Sequence, residues 1–207
     1  MKLMLINPNT NKQMTETIVE STWQYKGKDT EITAVTNSSG PLSIEGHMDE
    51  VMSTPGVLEI ILGARDLYDA FIIACYSNHP AVNAARELTA KPVIGICEAS
   101  LLTACLLGRR FSIVTTSPRW QPMLEDAVVA YGLEGRCASV RSSGLAVLDL
   151  ERLSAVEVED ILERESRKAL QEDGAEVICL GCAGMAGLDK RLGKALGGPV
   201  VDGVASA

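Results

Sequence analysis

Ala70-Phe71-Ile72-Ile73-Ala74-Cys75 and Val177-Ile178-Cys179-Leu180-Gly181-Cys182 are short apolar runs, each closed by a cysteine that enters a turn of small residues. Such runs, rich in β-branched and aliphatic side chains and ended by turn formers, read as strands buried on both faces, as in a parallel sheet. A span of 107 residues separates Cys75 from Cys182 in a chain of 207, so each half carries one cysteine at a strand end.

Working outward, similar runs fall at about 2–6, 31–35, 70–74, 92–96, 111–115, 137–141, 176–180 and 199–202, with helix-length amphipathic stretches between them. Strand and helix in alternation predict an α/β protein with a mostly parallel sheet covered by helices. The same offset of 107 lays Lys91-Pro92-Val93-Ile94 over Gly198-Pro199-Val200-Val201, and an offset one residue longer lays Leu3-Met4-Leu5-Ile6-Asn7 over Phe111-Ser112-Ile113-Val114-Thr115. This repeat predicts two similar lobes, each a four-stranded mostly parallel sheet flanked by helices, related by a pseudo-twofold axis with the site between them. The lobes are expected at 1–97, completed by residues 199–207 near the C-terminus, and at 98–198. The strand at 92–96 leads into a helix from Glu98, whereas its counterpart Val204-Ala205-Ser206-Ala207 ends where a helix should begin. On this reading a truncated chain is favoured over a second lobe that lacks its closing helix.

Local signals place the helices. Thr10-Asn11-Lys12-Gln13 fits a capping box, Ser117-Pro118 fits an N-cap followed by proline ahead of a helix at 118–131, and Glu163 and Arg167 fit a surface ion pair in a helix at 152–173.

A formal net charge of -8 removes the electrostatic term that dominates binding to nucleic acid or anionic membranes. Six irregularly spaced cysteines are too sparse for a secreted disulfide framework and fit a reducing cytoplasm. The opening run Met1-Lys2-Leu3-Met4-Leu5-Ile6 stops at Asn7-Pro8-Asn9, short of the roughly 7–15 apolar residues of a signal peptide, and no run reaches the roughly 20 needed to span a bilayer. A soluble, cytoplasmic protein with a small-molecule ligand is expected, without nucleic-acid or membrane partners.

Ligands of parallel sheets bind beyond the carboxyl ends of the strands. The turns there, Asn7-Pro8-Asn9-Thr10, Asn37-Ser38-Ser39-Gly40, Cys75-Tyr76-Ser77-Asn78-His79, Cys97-Glu98, Thr115-Thr116-Ser117 and Gly181-Cys182-Ala183-Gly184, are mostly small, polar and uncharged. A cysteine between a strand end and a helix start is expected to have a lowered thiol pKa. One thiolate and one thiol on opposite faces of a carbon acid would invert it without cofactor or metal, with backbone amides at Ala183-Gly184 available to an enolate. Cys105 and Cys179 read as core, and Cys97 and Cys137 as structural. Cys179-Leu180-Gly181-Cys182 also spells C-x-x-C, but a zinc site wants four ligands and only His47 and His79 supplement it. Gly181-Cys182-Ala183-Gly184-Met185-Ala186-Gly187 has the wrong spacing and place for a dinucleotide turn. His79 has two readings: it tunes the Cys75 thiol, or it caps the following turn.

Gly40-Pro41-Leu42-Ser43-Ile44-Glu45-Gly46-His47, Ala74-Cys75, Thr115-Thr116-Ser117-Pro118-Arg119, Leu180-Gly181-Cys182-Ala183-Gly184-Met185 and Pro199-Val200-Val201-Asp202-Gly203-Val204 together resemble the hydantoin racemases of the aspartate/glutamate racemase superfamily, in the right order and over nearly the whole chain. The resemblance implies cofactor-independent inversion of a 5-substituted hydantoin or allantoin by Cys75 and Cys182 in a homo-oligomer. It also implies substrate contacts at Asn9, Ser43, Ile44, Thr115, Thr116, Ala183 and Gly184. Asn9 also borders a helix cap, Thr115 and Thr116 also border the Ser117 cap, and Ser43 also fits a plain turn. Bacterial hydantoin racemases typically carry Phe-Gly-Asp-Pro after the first cysteine, whereas here Tyr76-Ser77-Asn78-His79-Pro80 follows, which makes Ser77, Asn78 and His79 candidate modulators of the pocket. The superfamily's amino-acid racemases tend to carry Thr after both cysteines; Tyr76 and Ala183 stand there and favour a neutral ring. An amino-acid racemase, a single-thiol decarboxylase or isomerase, and a non-catalytic binding module remain as alternatives.

Overall fold

The computed structural model describes residues 1–207. Eight strands form in chain order: β1 (Lys2–Asn7), β2 (Glu31–Thr36), β3 (Ala70–Ile73), β4 (Val93–Gly95), β5 (Phe111–Thr115), β6 (Cys137–Ser142), β7 (Val177–Gly181) and β8 (Val200–Asp202). They build two four-stranded sheets of equivalent order, β2-β1-β3-β4 and β6-β5-β7-β8, with every pairing parallel. The two-lobed α/β architecture expected from the repeat is therefore present.

The helices are α1 (Lys12–Thr22), α2 (His47–Ala64), α3 (Pro80–Arg86), α4 (Ile96–Leu107), α5 (Trp120–Ala130), α6 (Asp149–Arg152), α7 (Ala155–Glu172), α8 (Asp189–Leu196) and α9 (Gly203–Ser206). Strand alternation divides the core between them. Met4, Ile6, Phe71 and Ile73 point outward into a cluster with Val57 and Ile61 of α2, while Leu5 and Ile72 point inward. In the second sheet Val114, Ile178 and Leu180 join Leu162 of α7 on the outer side, while Phe111, Ile113, Val177 and Cys179 point inward. The two inward faces share one cluster with Ile96, Leu101 and Ala104 of α4, so the lobes are joined by a common core. Fully burying each large aliphatic or aromatic side chain contributes about 1.5–3 kcal/mol, which makes this shared layer the main bond between the halves.

Helix α4 follows β4 of the first sheet and packs across β7 and β8 of the second. The expectation that residues 199–207 complete the first lobe requires correction. Strand β8 pairs with β7 and closes the second sheet; only α9 reaches back, against α1 and α4.

Three local expectations also shift. Asn11, not Thr10, caps α1, its side chain accepting from the Met14 N–H at 3.2 Å, because the helix starts at Lys12 and this makes Met14 the N3 amide. Helix α5 starts at Trp120, with Ser117 and Pro118 in the preceding turn. The helix expected at 152–173 is interrupted at extended Leu153, and α7 begins behind a Ser154/Glu157 capping box. The Glu163–Arg167 pair forms as expected on α7.

Candidate active site

Cys75 lies two residues beyond β3 and Cys182 one residue beyond β7, the equivalent inner strands of the two sheets. Glycine is needed at 181, the last residue of β7 before Cys182, because a side chain there would meet Thr115 at 2.9–3.0 Å. Both cysteines line one cavity, together with Pro8, Asn9, Met14, Ile44, Ala74, Tyr76, Thr116, Trp120, Val147, Gly181 and Ala183. No lysine, arginine or histidine is among them.

Of the residues singled out from sequence, the fold brings Asn9, Ile44, Cys75, Thr116, Cys182 and Ala183 to the cavity wall. Asn9 is buried and oriented: its Oδ1 accepts from Asn7 Nδ2 at 2.8 Å and from the Asn11 N–H at 2.9 Å. Its Nδ2 meets only Met14 Sδ, at 3.3 Å, a weak acceptor that leaves an amide proton for a ligand oxygen. The Thr116 carbonyl is occupied by Ser142 Oγ and the Gly144 N–H, while its hydroxyl makes no bond within the protein.

Other expected contacts lie behind the wall. The Thr115 hydroxyl is spent on the Gly181 carbonyl at 2.9 Å, linking β5 to β7, and Ser43 Oγ faces Glu45 Oε1 at 3.4 Å. Gly184 does not line the cavity, but its backbone N–H lies near the Cys182 thiol and opposes the rise in its pKa. Among the candidate modulators, Ser77 Oγ lies 3.6 Å from Cys75 Sγ, and Asn78 is exposed.

The two readings of His79 separate cleanly. Its Nδ1 accepts from the Ala81 N–H at 3.2 Å as the N-cap of α3, so the ring proton sits on Nε2 and donates to Ser53 Oγ at 3.0 Å. Ser53 in turn donates to the Glu50 carbonyl at 2.9 Å. Both ring nitrogens are committed away from the thiol, and burial lowers the imidazole pKa to about 4. His79 is a neutral cap.

The expected lowering of the thiol pKa values is overturned. Helix α3 begins only at Pro80, and Cys182 precedes a single 3-10 turn, Ala183–Met185, so neither thiol meets the start of a full helix. Desolvation dominates instead and pushes Cys75 well up, with Glu50 adding to it and Ser77 opposing. Cys182 is pushed up to about 12 by burial, with the Gly184 N–H opposing and Glu45 and Glu151 adding to the rise. At neutral pH both are thiols.

Tyr76 lies in one of the rim turns where a ligand is expected, whereas Met14, Trp120 and Val147 are walls outside those turns. Met14 and Trp120 stand in the first turns of helices that follow strand ends, a position that could have flagged them; Val147 lies in an irregular segment and gave no signal. Cys97 and Cys179 are fully buried, whereas Cys105 and Cys137 are partly exposed.

Two pseudo-symmetric parallel lobes closing on a pair of strand-end thiols define a racemase-type isomerase. The Asp/Glu/Hydantoin racemase family model matches residues 3–207, and the chain belongs to that family. It is 47% identical over 205 residues to a hydantoin racemase of Pseudomonas sp. (strain NS671), covering 99% of this chain and 82% of that protein. It is also 47% identical to a hydantoin racemase of Rhizobium meliloti over 208 residues, covering 100% and 86%. Among solved structures it is similar to an allantoin racemase from Klebsiella pneumoniae, with a TM-score of 0.95 and 40% identity, covering 100% of this chain and 84% of that one. No helix is long and apolar enough to cross a membrane.

Proposed function

We propose that this racemase inverts C5 of a 5-substituted hydantoin or of allantoin, with Cys75 and Cys182 as acid and base on opposite faces of the ring and without cofactor or metal. The observation that carries the reading is that thiols from two equivalent strand ends line one small, mainly apolar cavity that offers no cation to a carboxylate. A neutral ring satisfies that wall, and its carbonyls match the spare donors of Asn9 and Thr116. Burial raises both thiols, so the cycle can start from either one; in one direction it starts from Cys182. Its thiolate takes the C5 proton, the electron pair moves onto the adjacent carbonyl as an enolate, and the Cys75 thiol delivers its proton to the other face. Cys182 is then a thiol and Cys75 a thiolate, the state that runs the reverse inversion.

Six unpaired cysteines support a reducing cytoplasm, and the exposed Met48, Val51 and Met52 on α2 support a homo-oligomer. The test is racemisation of one enantiomer of allantoin and of 5-benzylhydantoin in heavy water. Solvent deuterium appears at C5 of the inverted product, and Cys75→Ser or Cys182→Ser lowers the rate by at least about a hundredfold. Either variant working at the wild-type rate would refute the two-thiol assignment.

A further inference from the structure

The segment between β6 and α6 crosses from the second lobe to the first and supplies Val147, which is buried and forms part of the cavity wall. Three carboxylates hold this strap and the helix turn that follows it, and the local one is Asp149, whose Oδ2 accepts the Ala146 N–H at 2.8 Å. Glu45 Oε1, in the first lobe, accepts the Val147 N–H at 3.1 Å across 102 residues of sequence. At the far end Glu151 accepts Asn11 Nδ2 at 2.9 and 3.0 Å, and the Asn11 backbone N–H is the one held by Asn9 Oδ1. The strap thus carries a cavity wall, and α6, which follows it, bonds Asn11, the neighbour whose N–H orients Asn9.

We propose that Glu45 is a positioning residue of this racemase, the latch that draws the 143–148 strap across the lobes and seats Val147 against the bound substrate. The inference rests on the two-thiol reading above. A hydrogen bond to a carboxylate across a lobe junction is worth more than a neutral one, and no cation within salt-bridge distance competes for Glu45. Its remaining partners are Ser43 Oγ and, through its own backbone N–H, Asp49 Oδ2 at 2.8 Å. Glu45 also lies near enough to Cys182 for its charge to add to the rise that burial imposes on that thiol, so the carboxylate that latches the strap also favours the protonated form. The charged and titratable groups around this junction are Glu45, Glu151, Asp149 on the Ala146 N–H, Asp49, Arg119, whose side chain passes Gly46, and the other thiol, Cys75.

Glu45→Gln keeps an acceptor for the Val147 N–H and removes the charge, whereas Glu45→Ala removes both. In a Cys75→Ser background, alkylation of Cys182 by iodoacetamide is followed by peptide mass spectrometry across pH. Glu45→Ala is expected to speed alkylation several-fold at fixed pH, and Glu45→Gln to leave the strap shut while moving the midpoint down by about half a pH unit. In the otherwise intact enzyme Glu45→Ala raises KM about fivefold, the size of one net hydrogen bond, and Glu45→Gln recovers most of that. Unchanged alkylation and KM in Glu45→Ala, or a Glu45→Gln variant as impaired as Glu45→Ala, would overturn the latch. The alkylation readout does not depend on turnover, so the latch can fail while the cysteine variants still abolish racemisation, and the reverse.

Discussion

Cys75 and Cys182 reach the same cavity from β3 and β7, strands that hold the same position in two sheets of equivalent order and start 107 residues apart. Equivalent placement does not give them equal chemistry. Ser77 Oγ attends Cys75, whereas the Gly184 N–H attends Cys182, and the carboxylates that raise them are Glu50 on one side and Glu45 with Glu151 on the other.

The first prediction concerns alkaline pH. Both thiols are neutral at rest and one must ionise, so kcat/KM is expected to climb by about tenfold per pH unit through the neutral range. Stability moves the opposite way. Thiol pKa values raised in the folded state contribute stability that is complete below the unfolded value of about 8.5 and is lost as pH rises toward about 12. Initial rates and urea midpoints measured from pH 6 to 10 should diverge; a flat rate profile would mean that a thiolate is present at neutral pH.

Acid pH acts through His79. The unfolded chain takes up a proton near 6.5, but the folded imidazole resists until about 4, so stability is full above 6.5 and falls as pH drops through that window, by on the order of 3 kcal/mol. His79→Asn keeps an acceptor for the Ala81 N–H but cannot be protonated. The variant should lose about 1 kcal/mol at pH 7 through the broken Ser53 link, yet show a flatter dependence between pH 7 and 4.5 in urea titrations.

Gly56 makes a sharper mechanical prediction. Alanine in a helix normally gains up to about 1 kcal/mol over glycine, but a Cβ here would stand 2.2 Å from Asn37 Oδ1. Asn37 Nδ2 donates to the carbonyls of Pro8 and Ser53 at 2.9 and 3.0 Å, and Pro8 is a cavity wall. Displacing that amide costs about 2–4 kcal/mol, so the clash wins over the propensity gain. Gly56→Ala should lower the melting temperature and raise KM together.

The inner strands β1, β3, β5 and β7 were legible because each is a largely apolar run between turn formers that its sheet buries, whereas the half-exposed edge strands β2 and β6 were legible from their place in the strand–helix alternation. The thiol pair was legible because the repeat makes Cys75 and Cys182 equivalent. The thiol pKa direction was not: it depends on where α3 starts, on the shortness of the turn at Ala183, and on carboxylates at 45, 50 and 151 that are remote in sequence. Nor were the walls formed by Met14, Trp120 and Val147, since an apolar residue that faces a cavity is written like one that faces the core.

Trp120 gives the last prediction. It is 4% exposed, opens α5, and shares the cavity with Met14, Ile44 and Val147, so its indole takes up space that a C5 substituent would otherwise fill. The volume gained or lost with a few carbons in an apolar pocket shifts discrimination by about 1–3 kcal/mol. Trp120→Phe is therefore expected to raise kcat/KM for 5-benzylhydantoin relative to allantoin by about tenfold or more, chiefly through KM. Competition between the two substrates, read by chiral chromatography, measures the ratio directly. Loss of packing in α5 would depress both substrates alike, so a ratio that stays at the wild-type value, with both rates reduced, would place the substituent against another wall.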